Sequence, residues 1–243
     1  MTLANKLLLV SRVKPEVKGA VEFVSSTAMT ITPKYTNPGV TLQYSLNGST
    51  WTTIASGATT PSANIIYFRG QATGTKSLFN SNVTANAWTF TGATNLECNG
   101  KLDRLIQNTL GSDVDILIIG DYCFSLMFYN NTTLIKAPAL PATTLATQCY
   151  QQMFYGCTSL TTIPALPATT LATSCYYQMF YGCTSLKLST TMTGIYDTVY
   201  RIPTTGTGTT ATDDLANMFT GTGGTFTGSP TINTTYYTEN TPK

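Results

Sequence analysis

The chain contains no histidine. That removes Ser-His-Asp and Cys-His catalysis, histidine-ligated zinc, and the side chain that ordinarily moves protons near neutral pH. Charge is scarce as well: 13 Lys and Arg face 11 Asp and Glu, and only 10% of residues are charged. A net charge of +2 lacks the basic footprint of a nucleic-acid binder. Between Lys136 and Lys187 lie 50 consecutive residues without Asp, Glu, Lys or Arg. Thr, Ser, Gln and Pro interrupt that run throughout, so it is not a membrane span. Acidic residues close enough to cooperate are limited to Asp113 with Asp115 and Asp213 with Asp214, both expected as turn and cap residues. No catalytic, cofactor-binding or metal-binding residues are expected, and neither an enzyme nor a membrane-inserted protein.

Thr, Tyr, Gly and Asn are abundant, a composition suited to a β-rich surface protein. The dominant pattern is a repeat. Cys123, Cys149 and Cys175 recur every 26 residues, with two clean copies beginning at Leu140 and Leu166 (LPATTLAT-CY-QMFYGCTSL) and a degenerate one over 121–139. A fixed period in this range marks stacked units, each burying its apolar face against a neighbour. Within a unit, Leu171, Cys175 and Met179 lie four apart, and Phe180, Cys183 and Leu186 three apart. That spacing predicts the buried side of a short helix closed by Gly182, and Ser159–Pro164 reads as a short strand. Tyr150, Gln151, Gln152 and Tyr155, with Tyr176, Tyr177, Gln178 and Tyr181 one unit later, fall off the stripe and are expected to be exposed. Tyr150, Gln151, Tyr155, Tyr176, Tyr177 and Tyr181 form the candidate ligand surface, against the competing account that the rings simply stack between units.

Six cysteines invite a disulfide reading, but partners eight apart on a helix are separated by about 12 Å of rise, beyond the roughly 7 Å a disulfide tolerates. There is no CxxC pair. Buried free thiols acting as small hydrophobes are expected.

Ahead of the repeats, short β-rich runs alternate with turn signals (AMTITPKY, VTLQYSL, STWTTIA, NIIYFRG, AWTFTGA), with Asn47-Gly48 predicting a two-residue hairpin turn. These runs suggest a small immunoglobulin-like β-sandwich with Trp51 and Trp88 in its core. KLDRLIQNTL (Lys101–Leu110) predicts a linker helix covering the first repeat. Met218-Phe219 echoes Met179-Phe180, with Thr222 where the units carry cysteine, so 201–243 reads as a cap and tail facing water. At the other end, Leu3, Leu7, Leu8, Val10 and Val13 form an apolar arm in residues 1–20. Its apolar run is too short for an export signal, so the arm is expected to attach the protein to an assembly. The expected architecture is mainly β with short helices. It comprises an arm (1–20), a sandwich with linker helix (21–112), a leucine-rich-repeat solenoid (113–200) and a cap (201–243).

MFYGCTSLTTIP resembles the repeat unit of the BspA-like leucine-rich-repeat family. Phe154, Gly156, Cys157, Ser159, Leu160 and Pro164 carry the match, as do Phe180, Gly182, Cys183, Ser185 and Leu186, while Met153 and Met179 take a position the family gives to alanine. The unit subtype and its flanks look like proteins encoded by gut bacteria and their tailed phages. The resemblance implies a non-enzymatic surface protein. The expected setting is a phage virion (head fibre, capsid decoration or tail fibre), with bacterial cell-surface adhesin as the alternative. Expected partners are other virion proteins, a host-surface glycan or protein, and further copies of the chain, most simply as a trimer.

Overall fold

The computed structural model describes residues 17–239. The arm residues Leu3, Leu7, Leu8, Val10 and Val13 lie outside them. The described chain is mainly β with almost no helix, 3%. Its strands are β1 (Val21–Thr32), β2 (Val40–Ser45), β3 (Thr52–Ile54), β4 (Ala63–Ala72), β5 (Thr89–Thr91), β6 (Leu96–Asn99), β7 (Leu134–Lys136), β8 (Leu188–Ser189), β9 (Tyr196–Arg201) and β10 (Thr235–Glu239).

The first seven strands form one open sheet in the order β3-β2-β4-β1-β6-β7, with β5 beside the far half of β1. Across an irregularity between Val24 and Met29, β1 changes partners: β4 and β6 pair with it before, and β5, with β4 still at Met29, after. Alternation buries Val21, Phe23, Leu42, Ile66 and Phe68 on one face. Trp88 joins Phe23 and Phe68 there, at ring separations of 6.0 and 5.2 Å. Trp51, by contrast, is only partly buried, with the Arg69 guanidinium 4.2 Å above its ring. The β2–β3 hairpin forms where Asn47-Gly48 predicts it, but pairing stops at Tyr44 opposite Thr52, so the connection is longer than two residues. Asn47 explains this: its Oδ1 accepts from the amides of Ser49 and Thr50, organising a wider side-chain-capped loop.

The linker helix expected over Lys101–Leu110 is a single 3-10 turn, Leu102–Leu105. Of its apolar stripe, Leu102, Leu105 and Ile106 are buried, while Leu110 is partly exposed. Beside it the buried Arg104–Asp103 pair anchors an ionic cluster whose other members reach the surface. Arg104 contacts Asp103, Asp113 and Asp115, and Lys101 bonds both oxygens of Asp115.

The repeats stack, but not as helices. Tyr150, Gln152, Phe154 and Gly156 donate their amides to the carbonyls of Cys175, Tyr177, Met179 and Tyr181 in the next unit. Phe124, Leu126, Phe128 and Asn130 make the equivalent bonds one unit earlier, and Tyr176, Gln178, Phe180 and Gly182 one unit later. The intervening amides close tight turns three residues back, as in Met153 to Tyr150 and Tyr155 to Gln152. Every fourth residue is left-handed: Gln148 (φ 55), Gln152 (φ 52) and Gly156 (φ 68), then Ser174 (φ 52), Gln178 (φ 51) and Gly182 (φ 70). Each left-handed non-glycine residue costs roughly 1–2 kcal/mol, and the same residues donate the cross-unit bonds that offset it. An α-helix would use every amide beyond its first turn internally and leave none of those for the neighbouring unit. Its 3.6-residue turn would also carry a four-residue stripe about 40° off its face at each step. The buried stripe was correctly placed; its backbone is a spiral of turns.

Two further expectations change. Ser159–Pro164 forms no strand, although Thr161 bonds the Ile135 carbonyl through both its amide and its hydroxyl. Thr222 is buried rather than facing water, because β8, β10 and β9 form a second open sheet over the last unit. At the other end, Leu78 and Trp88 from the β4–β5 connection and Leu96 from β6 donate to Cys123, Met127 and Thr133, and β6 pairs in parallel with β7. One continuous core therefore runs from the first sheet through every unit to Phe219 and Tyr236.

Candidate functional site

Three columns of side chains run along the stack. In the first, Phe90, Phe128, Phe154, Phe180 and Phe219 lie at successive ring separations of 5.8, 5.5, 5.3 and 5.4 Å, nearly parallel. In the second, Phe124, Tyr150 and Tyr176 follow at 6.0 and 5.8 Å. The third is Tyr129, Tyr155 and Tyr181, at 4.9 and 4.8 Å, and all three of its rings are partly exposed.

Tyr150 and Tyr176 are thus corrected. They are 2% and 1% exposed and cannot meet a ligand. Burial drives both phenols well above their usual range, with neighbouring thiols adding to the shift. Gln151 is also buried, and its carbonyl accepts from Leu126 and from Ser125 Oγ. The reason is the four-residue spiral, which turns two adjacent residues inward per turn where a helix would turn one. Tyr155, Tyr177 and Tyr181 remain partly exposed. Beside them Gln152 Nε2 donates to Gln178 Oε1 at 2.8 Å, adding an amide rung to the tyrosine ladder. Tyr155, between two phenols, is shifted upward by desolvation first and by Tyr129 and Tyr181 second.

The six cysteines are free and buried. Cys123, Cys157 and Cys183 donate their thiols to the carbonyls of Lys76, Phe128 and Phe154 at 3.1, 3.1 and 3.0 Å. Burial raises every one of them, Cys175 and Cys183 to about 12. Among the described residues no group of three or more Cys, Asp or Glu side chains is arranged to hold a metal ion. The acidic residues that the sequence brings close are engaged structurally. Asp113 and Asp115 neutralise Arg104 and Lys101, and Asp214 accepts from the amides of Ala211 and Leu215. Asp103 is shifted upward by burial, against the opposing amide of Ile116 and the charge of Arg104.

Two grooves flank the stack. One, of about 460 Å³, crosses Asn99–Lys101, Lys136–Ala139 and Thr162–Ala165. The other, of about 310 Å³, lies where 87–90 meets 129–133, at the head of the exposed tyrosine ladder. Neither groove is marked by a conventional motif. Tyr129, however, stands 26 residues before Tyr155 in the degenerate copy, and that alignment places it in the column.

The chain matches no protein-family model, no curated protein and no solved structure. Its function is argued from its own surface. The flank carrying Tyr129, Tyr155 and Tyr181 is partly exposed, and of the three only Tyr129 lines one of these grooves.

Proposed function

We propose that the protein is a non-enzymatic structural protein of a phage virion, a head fibre, capsid decoration or tail fibre, displaying its repeats for adhesion to a host surface or its glycans. The stacked turns are the leucine-rich-repeat solenoid of this reading. The first sheet, with β1 bending between two sets of partners, is its immunoglobulin-like module. The observation that carries the proposal is the closure of the stack at both ends. The first sheet covers one end and the β8-β10-β9 sheet the other, so what remains open along the repeats is an uncharged flank bearing a regular aromatic column. A neutral Thr-, Tyr- and Gln-rich flank sets no like-charge repulsion between copies, consistent with a symmetric homo-oligomer, most simply a trimer.

Immunogold labelling of phage particles and of intact bacterial cells, with antibody against the purified chain, tests the assignment. Gold on assembled virions is expected. Gold confined to the cell envelope would replace the virion assignment with a bacterial cell-surface adhesin, and gold on neither would remove both.

A further inference from the structure

The tyrosine ladder ends with an unfilled place. Along the phenylalanine column the stack continues into the first sheet, because Trp88 donates its amide to Met127 and Phe90 stacks on Phe128 at 5.8 Å and 18°. Along the tyrosine column it does not. Tyr129 has Tyr155 on one side at 4.9 Å, and no other ring of the described residues stacks on it. The groove of about 310 Å³ lies at this end, with Phe90 and Tyr129 among its walls and Asn130, Asn131, Thr89 and Thr132 supplying polar groups.

The chemistry of those polar groups selects the occupant. Asn131 Oδ1 is already engaged by the amides of Thr133 and Leu134 and by the Thr133 hydroxyl. Asn131 Nδ2 and the hydroxyls of Thr89 and Thr132 have no hydrogen-bond partner among the described residues, and Asn130, also in the lining, extends its unpaired amide group over Gly156. No ionisable group other than the Tyr129 phenol lines the groove, so an anionic ligand would meet no countercharge there. A purely apolar occupant, such as an aromatic side chain of a second copy, would cover the amides and hydroxyls without satisfying them.

We propose that this groove binds one neutral pyranose unit of a glycan. Its apolar C–H face lies on the Tyr129 ring, in place of the missing rung, and its hydroxyls reach Asn130, Asn131, Thr89 and Thr132. The inference rests on the adhesion reading and names its ligand class and its site.

The test uses the full chain on an array of neutral and sialylated oligosaccharides, with Tyr129→Ala, Asn130→Gly and Tyr181→Ala beside the parent. Asn130 is left-handed (φ 56), so glycine holds that backbone without strain while removing the amide, which keeps the test valid if Tyr129→Ala folds poorly. Binding to neutral termini is expected to fall about tenfold in Tyr129→Ala and in Asn130→Gly, the scale of one lost ring or amide contact. Tyr181→Ala, at the far end of the ladder, should retain parental binding. Unchanged binding in folded Asn130→Gly, equal loss in Tyr181→Ala, or binding only to sialylated glycans would overturn the site. Gold on virions or cells would still support adhesion in each of those cases. Absence of all glycan binding would overturn the pyranose assignment and turn the adhesion reading toward a protein receptor.

Discussion

A thiol in this protein is a core atom with a hydrogen bond. Cys157 and Cys183 pack among Phe and Met side chains and donate to a carbonyl of the preceding unit. Where the last unit carries Thr222, the hydroxyl turns instead to the Phe219 carbonyl of its own unit, at 2.9 Å. Two consequences are measurable. Thiol reagents at neutral pH should leave all six cysteines unmodified in the folded protein and modify all six after denaturation, as mass spectrometry would count. The pH dependence follows from the direction of the shifts. The folded thiols titrate above their unfolded counterparts, Cys175 and Cys183 near 12, while unfolded thiols release protons around 8.5. Stability from these groups is therefore complete below about pH 8.5 and is lost as pH rises from there toward about 12. Denaturant titrations across pH 7 to 10.5 should show the midpoint falling only above about pH 8.5; a midpoint rising with pH there would contradict the buried-thiol account.

A rung is the element that matters, and its strength comes from having neighbours on both sides. Phe154 lies between Phe128 and Phe180 with no exposed surface. Phe154→Ala should cost about 3–5 kcal/mol, as a fully buried ring does when the surroundings cannot collapse into the gap. Calorimetric or denaturant unfolding gives the figure, and a loss under about 1 kcal/mol would mean that the column is not packed as described. The residues of this column were legible in the sequence. The repeat aligns Phe128, Phe154 and Phe180, and the echo at Met218-Phe219 correctly supplies the next rung. Their backbone was not legible, because a stripe that mixes four-residue and three-residue spacings suits a helix as well as a spiral of turns. The deciding quantity, whether amides point along the chain or across to the next unit, depends on the neighbour. The same ambiguity misplaced Tyr150, Tyr176 and Gln151 on the surface. Trp88 and Phe90 could not be assigned to a groove either, since only the fold brings them beside Tyr129, 41 and 39 residues further along the chain.

At the scale of the whole molecule, the sheets at either end are part of the stack rather than attachments to it. The first sheet and its β4–β5 connection supply three amides to the first unit and a parallel strand pair, and at the last unit Gly223 bonds Leu186 while Phe226 bonds Leu188 of β8. Such an assembly gains stability by nearest-neighbour contacts, and adding a unit adds one interface without altering the others. It is also unforgiving of phase, because one residue more or fewer shifts every column and every cross-unit bond. Duplicating Leu140–Ala165 inserts one whole 26-residue unit, and the same insertion shortened by one residue serves as the control. Thermal unfolding of the two, followed by circular dichroism, tests the stacking most directly. The in-phase protein should remain soluble and unfold in one transition at or above the parental midpoint, and the out-of-phase protein should melt lower or aggregate. If both behave alike, or if the in-phase insertion unfolds in a separate, earlier transition, the repeats do not form the continuous ladder on which this account rests.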